Sequence, residues 1–163
     1  MDASMKHVVI EIAKEDIKFS AGHFTIFADG SRERLHGHNY RVRLLAHYAV
    51  GEGDISVDYG ELKKALRRVC ARYDEYTLLP ANSRHLRVTH ADGSIEALIG
   101  GDRFVFPEGD VRVLPVANIT GEALAGLLRD EFLAELASRA VPLPTRCELG
   151  IGSGDGQWVT CLA

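Results

Sequence analysis

The sequence predicts an α+β fold in which two helices pack on one face of an antiparallel sheet. Segments with alternating apolar residues follow one another as hairpins, with no helix between the paired strands, and this order is typical of antiparallel sheets. Two further segments place apolar residues at helical spacing. A chain of 163 residues, 46% hydrophobic and 26% charged, can bury a core without disulfides. We therefore expect a single domain over residues 1–163.

The first two predicted strands form a hairpin. Apolar or aromatic residues alternate with small or polar ones over residues 17–23, and histidine, aromatic and aliphatic residues share one parity over residues 36–44. Residues 28–34 between them are rich in turn-forming types, so the two strands are expected to pair in antiparallel.

The first predicted helix begins at Asp58, which is a typical N-cap residue, and Glu61 completes a capping box. Apolar residues then recur at helical spacing as far as Tyr73, while lysines and arginines fill the solvent face. A loop containing Pro80 is expected to end this unit. Residues 84–110 are predicted to form a β-rich insert of short strands separated by glycine-containing turns.

The second predicted helix is capped by Thr120 and stopped by Pro142 and the proline that follows. Residues 145–151 and 157–162 form a C-terminal hairpin around a glycine-rich turn. Because that turn lies between two strands, with no helix after it, the pattern favours a hairpin turn over a phosphate-binding loop.

Three histidines form the most informative pattern. His36 and His38 are two residues apart, which places their side chains side by side on a strand, about 6.5 to 7 Å apart. His23 lies on the preceding strand, at a position that faces the same side as the apolar residues of that strand. Pairing of the two strands would therefore bring three imidazoles to one side of the sheet. Such a set suits a zinc ion with one open position. From spacing alone, ordinary surface or core histidines remain the alternative, and the other four histidines stand alone in the sequence.

Charge and cysteine content restrict the partners and the compartment. A net charge of −4 argues against nucleic-acid and anionic-membrane partners, which select basic surfaces. No run approaches the roughly 18 apolar residues of a membrane span, and residues 1–15 lack the apolar core of a signal peptide. Three cysteines are an odd and sparse set, which suits a reducing compartment such as the cytosol. We expect a cytoplasmic protein with no membrane or nucleic-acid partner.

The segments around the histidines, Phe19–His23 and Leu35–Tyr40, are similar to the zinc motif of the 6-pyruvoyltetrahydropterin synthase / 6-carboxytetrahydropterin synthase family. The likeness spans residues 17 to 160 in chain order, with residues 84–110 as the main addition. Three more segments resemble the family's motifs at the two helices: Asp58–Lys63, Tyr73–Leu78 and Asn118–Ala125.

This resemblance implies the tunnelling fold (T-fold), a four-stranded antiparallel sheet with two helices on one face. It also implies trimers, commonly stacked into hexamers, with active sites at subunit interfaces. The implied substrate is a pterin, dihydroneopterin triphosphate, and the implied cofactor is a catalytic Zn²⁺ held by His23, His36 and His38. Glu148 stands where the family has its pterin-anchoring glutamate, and Thr120 at a helix N-terminus could add backbone donors.

The chain departs from the family where the proton-abstracting base is expected. Tetrahydrobiopterin-type and queuosine-type members use a cysteine just before the His-Gly-His motif, and none lies between His23 and His36. Arg32 occupies the cysteine position of the queuosine-type motif. Glu33 gives the pattern Glu-x-x-His-Gly-His, which resembles a subgroup linked to forming 6-hydroxymethyl-dihydropterin. We expect Glu33 to be the base and Arg32 to meet the triphosphate, with solvated loop positions as the alternative.

A second departure is the pair Asp74-Glu75, which replaces the family's Asp-His pair. A carboxylate can transfer protons when its pKa is raised, but it cannot act as a cation. We expect Asp74 and Glu75 to take part in proton transfer, with an ordinary loop position at the C-terminal end of the first helix as the alternative for Asp74.

The expected function is a zinc-dependent lyase that forms 6-hydroxymethyl-dihydropterin or 6-pyruvoyltetrahydropterin. The alternatives are 6-carboxytetrahydropterin synthase activity, a pterin or purine binder without turnover, and a metal-dependent interaction module unrelated to pterins.

Overall fold

A computed structural model describes residues 6–162, so residues 1–5 and 163 of the predicted domain lie outside the described part of the chain. The elements run in the order β1 (His7–Ile12), β2 (Lys18–His23), β3 (His36–Ala49), α1 (Tyr59–Ala71), β4 (Tyr76–Pro80), β5 (Leu86–Ala91), β6 (Ser94–Ile99), β7 (Asp102–Pro107), β8 (Val111–Leu114), α2 (Gly121–Ser138), β9 (Arg146–Gly154) and β10 (Gln157–Cys161).

The sheet is built around β3, which is 14 residues long. Strands follow the order β10-β9-β3-β2-β4-β8, and β1 pairs with the second half of β3 beyond the end of β2. Within the run β10-β9-β3-β2, each strand is antiparallel to the next, as predicted. With two helices packed against this sheet, the α+β class is confirmed.

Strands β1, β4 and β8 extend the expected four-stranded sheet to seven. β4 pairs in parallel with β2 and with β8, so the sheet is mixed rather than purely antiparallel. Pro80 therefore ends a strand instead of lying in a loop. The reason is burial on both faces of β4: Leu78 belongs to the main core and Leu79 to a second one, so the segment shows no alternation.

The structure confirms the predicted N-cap residue of each helix but only part of the predicted capping contacts. Asp58 accepts a hydrogen bond from the amide two residues on, at 2.7 Å. Glu61 binds Lys64 at 2.7 Å and is not seen to reach back to the cap, so the predicted capping box is half formed. α2 ends at Ser138, ahead of Pro142. Within residues 6–162, neither helix has the length and apolar character to cross a bilayer.

Two apolar cores fix the position of the insert. The main core lies between the sheet and the helices, and its fully buried side chains include Phe19, Leu44, Leu66 and Phe132. The second core lies under the antiparallel β5-β6-β7 meander, and its buried side chains include Phe24, Leu79, Ile95, Ala97 and Ile99. Burial of each leucine, isoleucine and phenylalanine among them stabilises the fold by about 1.5–3 kcal/mol. The predicted β-rich insert is thus packed on the body of the protein next to Phe24.

Candidate metal centre and active site

The three histidines of the predicted metal set meet at the end of β2 and the start of β3. His23 is the register partner of His36, and His38 is paired with Ala21, so the three side chains share one face of the sheet. Their ring centroids are 4.7, 4.8 and 5.2 Å apart. One ligand nitrogen from each ring lies within 4.8 Å of the other two. The structure thus brings together the residues that strand parity selected.

Backbone carbonyls orient two of these rings. Nδ1 of His23 lies 3.0 Å from the oxygen of Ile119, and Nδ1 of His36 lies 2.7 Å from the oxygen of Arg34. Since a carbonyl only accepts, each Nδ1 carries the proton and each Nε2 presents a lone pair. Nε2 of His23 is buried and has no hydrogen-bond partner among the described residues. Nε2 of His36 and of His38 face each other at 3.0 Å.

This arrangement fits a divalent cation. Nitrogen ligands of one tetrahedral zinc are about 3.3 Å apart, close to the spacing seen between His36 and His38. Burial lowers the pKa of His23, and the neighbouring rings act in the same direction, while the bond to Ile119 opposes them. His23 is therefore neutral, which is the form that binds a metal.

A cavity of about 370 Å³ opens over the histidines. It is lined by the three rings, by Glu33 and Thr120, and by residues that the sequence analysis did not select, among them Tyr40, Glu122, Ser153 and Gln157. No cysteine is among its lining residues in the described part of the chain. Burial raises the pKa of Tyr40, so its phenol stays protonated and can serve as a hydrogen-bond donor.

Glu33 is held at the edge of this cavity by a short antiparallel pairing of residues 25–26 with residues 32–33, which is called the Glu33 ribbon below. The amide of Thr25 donates to Oε2 of Glu33 at 3.1 Å, and the amide of Glu33 donates to the carbonyl of Thr25 at 3.0 Å. The hydrogen bonding to Thr25, with a smaller contribution from the His36 and His23 rings, lowers the pKa of Glu33. The carboxylate is therefore ionised at neutral pH and can accept a proton.

The segment before α2 closes the site from another side. Thr120 caps α2, its Oγ1 accepting from the amide of Ala123 at 3.3 Å. Asn118 is bonded to both backbone groups of Ile26: its Oδ1 accepts from the amide at 3.0 Å and its Nδ2 donates to the carbonyl at 2.7 Å. Asn118 thus ties the Glu33 ribbon to the segment that contacts His23. The sequence analysis does not predict Asn118 as a site residue, although the residue opens one of the family-like segments, because its partner is 92 positions away.

Arg32 does not line the cavity, although it precedes Glu33. Its Nε and Nη2 donate to Oδ2 of Asp102 at 3.0 and 2.6 Å, and its Nη1 donates to the carbonyl of Glu33 at 2.9 Å. A contact between Arg32 and the substrate stays a prediction, and it would require the guanidinium to leave Asp102.

Asp74 and Glu75 lie at a different place from the histidine cavity. Oδ1 of Asp74 accepts from the amide of Ser20 at 2.8 Å, and the amide of Glu75 donates to the carbonyl of Ser20 at 2.7 Å. Glu75 lines a second cavity together with Gly22, Gly37 and His38, so His38 borders both cavities whereas Glu75 lines only this one. A catalytic role for this pair stays a prediction.

Glu148 is also remote from the histidines of its own chain. It is paired with Leu45 on β3, seven residues beyond His38, which corresponds to roughly 23 Å along the strand. Its neighbour Leu149 is fully buried in the main core, so Glu148 points to the opposite face of the sheet. Oε1 of Glu148 lies 3.0 Å from Nε of Arg146 and 3.4 Å from Nε2 of His47.

Comparison with known proteins identifies a family and a relative that this chain resembles. A family model described as "6-pyruvoyl tetrahydropterin synthase" matches residues 11–145. A protein from Methanocaldococcus jannaschii named "Putative 6-carboxy-5,6,7,8-tetrahydropterin synthase" is 26% identical over 142 residues, which is 86% of each chain.

Solved structures share the fold. The 6-pyruvoyl tetrahydropterin synthase of Plasmodium falciparum superposes with a TM-score of 0.87 at 24% identity, covering 95% of this chain and 96% of that one. A Plasmodium vivax 6-pyruvoyltetrahydropterin synthase, in which a glutamate described as a catalytic residue is replaced by alanine, gives a TM-score of 0.87 at 23% identity and covers 96% and 97%. The predicted tunnelling fold is confirmed. Because the family model covers most of its length, the chain belongs to the 6-pyruvoyl tetrahydropterin synthase family.

Proposed function

We propose that this protein is a zinc-dependent pterin lyase that acts on dihydroneopterin triphosphate, most simply to form 6-hydroxymethyl-dihydropterin, with 6-pyruvoyltetrahydropterin as the other product of the same class. One observation carries the proposal: His23, whose buried Nε2 has no hydrogen-bond partner among the described residues, lines the same cavity as His36, His38 and an ionised Glu33. Family membership supplies the pterin substrate class.

The three histidines would hold zinc through Nε2. When bound, zinc supplies a Lewis acid that polarises a substrate oxygen and stabilises developing negative charge. The carbonyls of Ile119 and Arg34 keep two of the rings in the tautomer that this requires.

Glu33 would act as the general base. Its carboxylate is ionised, lies beside the rings, and is kept in place by the amide of Thr25. In a retro-aldol cleavage it takes the proton of a side-chain hydroxyl, whose oxygen becomes the carbonyl of a departing aldehyde that carries the triphosphate. The adjacent carbon–carbon bond breaks, its electron pair moves into the pterin ring, and the remaining side-chain carbon is then protonated to give the hydroxymethyl group. In an elimination it takes a proton from carbon while the triphosphate leaves with the bonding electrons. The subgroup pattern and the absence of a cysteine among the described lining residues support the first course.

A pterin-binding role for Glu148 requires a second copy of the chain. A pterin is far shorter than the roughly 23 Å that separates Glu148 from His38 along β3, and the two side chains lie on opposite faces of the sheet. We therefore propose a homo-oligomer, a trimer or a hexamer, in which Glu148 of a neighbouring copy accepts two hydrogen bonds from the pterin edge. Thr120 lines the cavity and is proposed to contact substrate within the chain that holds the zinc.

The proposal includes a cytoplasmic location, which is supported by three free cysteines, two of them buried. A 6-carboxytetrahydropterin synthase activity is the second candidate, because the Methanocaldococcus jannaschii relative has that name. The lack of a cysteine near His36 weighs against it.

Product identification tests the proposal. Zinc-loaded protein is incubated with dihydroneopterin triphosphate, and products are separated and identified by mass spectrometry. We expect a hydroxymethyl or pyruvoyl pterin, with the rate of Glu33→Gln reduced about 100-fold or more at unchanged zinc content. Glu108→Gln, at an exposed carboxylate of the insert, is the matched control and should match the parent. A carboxypterin would favour the second candidate, and bound but unchanged pterin would overturn the enzymatic claim.

A further inference from the structure

We propose that Arg32 and Asp102 form a clamp through which the β5-β6-β7 meander positions Glu33, so that both are positioning residues for the base. The inference rests on the proposed function, in which Glu33 abstracts the proton. It assigns a role to the insert and gives Arg32 a task other than binding triphosphate.

The guanidinium of Arg32 connects three parts of the molecule. Two of its nitrogens bind one oxygen of Asp102, at the first residue of β7, and the third binds the carbonyl of Glu33. Its plane lies against two aromatic rings, with Cζ 4.7 Å from the centroid of Phe104 and 5.6 Å from that of Phe24. All three guanidinium nitrogens are thus in use, and the two aromatic rings pack against the guanidinium.

The clamp reaches the Glu33 carboxylate through the backbone ribbon. Arg32 pairs with Ile26 in an isolated antiparallel bridge, next to the mutual hydrogen bonds of Thr25 and Glu33. A shift of the Glu33 carbonyl would therefore move its amide relative to Thr25 and disturb the bond between the Thr25 amide and the carboxylate.

The meander is a firm anchor for this contact. Phe104 on β7 stacks on Phe24 with centroids 5.2 Å apart, and Phe24 directly follows the candidate ligand His23. Beneath it, Ile95 and Ile99 of β6 are buried in the second core. The insert therefore contacts Phe24, which follows the candidate ligand His23, and Arg32, which precedes the proposed base.

The environment of the clamp indicates orientation rather than stability as its main effect. The side chain of Arg32 is 21% exposed and that of Asp102 is 59% exposed. Ion pairs with such access to water add little to the free energy of folding. A displacement of a catalytic group by about 1 Å, in contrast, can cost about 100-fold in rate.

Asp102→Asn tests the clamp, with Glu96→Gln as the matched control. Glu96 pairs with Arg103 in the same meander, and that pair does not touch the Glu33 ribbon. The first measurement is hydrogen–deuterium exchange, read by mass spectrometry on peptides covering residues 24–34, with no need for turnover. We expect exchange at the Thr25 and Glu33 amides to be about tenfold faster in Asp102→Asn and unchanged in Glu96→Gln.

The second measurement is steady-state kinetics on zinc-loaded protein. Asp102→Asn should lower kcat roughly 10- to 100-fold, with KM within about twofold and zinc content unchanged. Arg32→Lys keeps the charge, but an ammonium group lacks the planar set of donors that binds Asp102 and the Glu33 carbonyl at the same time. Its kcat should therefore fall between those of Asp102→Asn and the parent.

Three results would overturn the clamp: unchanged exchange over residues 24–34 in Asp102→Asn, equal acceleration in Glu96→Gln, or equal acceleration in distant strand β9. A protein without turnover would refute the proposed function, while the exchange measurement would still decide on the clamp.

Discussion

Replacement of Asn118 by alanine should destabilise the protein and loosen the site, although Asn118 does not line the histidine cavity. Its side chain makes hydrogen bonds of 3.0 and 2.7 Å to the backbone of Ile26, and its Oδ1 also accepts from the amide of Ile119 at 3.0 Å. Each partly buried bond contributes about 1 kcal/mol, so Asn118→Ala should lower the free energy of unfolding by about 2–4 kcal/mol. For a chain of this length, that loss lowers Tm by roughly 6–12 °C.

Urea unfolding followed by circular dichroism measures the effect. With a slope of about 2 kcal/mol per molar, the unfolding midpoint should fall by about 1–2 M, compared at one protein concentration because association would shift it. Asn82→Ala, at an exposed asparagine of the neighbouring loop, should stay within about 0.5 kcal/mol of the parent. Asn118→Asp keeps the acceptor but sets a carboxylate against the Ile26 carbonyl, so it should be destabilised at pH 7 and partly recover in acid. A loss below 0.5 kcal/mol in Asn118→Ala would refute the reasoning.

Two further predictions concern the metal site and the helix pair. His36→Ala should lose zinc during dialysis that leaves about one zinc per chain in the parent and in the His85→Ala control, measured by metal analysis; retained zinc would contradict the three-histidine site. Glu135 is bound to arginines on α1 and at the end of α2, and hydrogen bonding from Arg139, with that from Arg68, lowers its pKa below 4.5. Because protonation is easier in the unfolded chain, the stabilisation by Glu135 is present above about pH 4.5 and is lost as pH falls through the lower folded-state pKa. Glu135→Gln should therefore be less stable than the parent by about 2 kcal/mol at pH 7, with a difference that shrinks below pH 4.5 in urea titrations; a constant difference would contradict it.

The sequence was sufficient for features that depend on residues close together in the chain. The parity of His36 and His38 along one strand, and of His23 on its hairpin partner, determined which side chains converge. The caps at Asp58 and Thr120 placed both helix starts, since capping is decided within about three residues.

Features that depend on distant pairings escaped prediction. Strand β4 is buried on both faces, so its pattern resembles neither an alternating strand nor a helix. The partners of Asn118 and Arg32 lie 92 and 70 positions away, and a single polar residue does not indicate which distant group it binds. The same holds for Ser153 and Gln157, which enter the cavity only because the C-terminal hairpin packs beside α2.

The directions of the Arg32 and Glu33 side chains determine which of the two positions can present a base to the histidine cavity. Arg32 and Glu33 follow each other on extended backbone, where successive side chains point to opposite sides. Glu33 lines the histidine cavity, whereas Arg32 faces the insert, although the family pattern aligns its position with the catalytic cysteine. A cysteine at position 32 would thus face away from the histidines. The double variant Arg32→Cys/Glu33→Ala should stay as inactive as Glu33→Ala, about 100-fold or more below the parent, in the same product assay. Glu33→Asp keeps a carboxylate on the cavity side and should retain measurable turnover. Activity regained through position 32 would show that this ribbon can present either side chain to the cavity, contrary to the geometry of its Ile26 bridge.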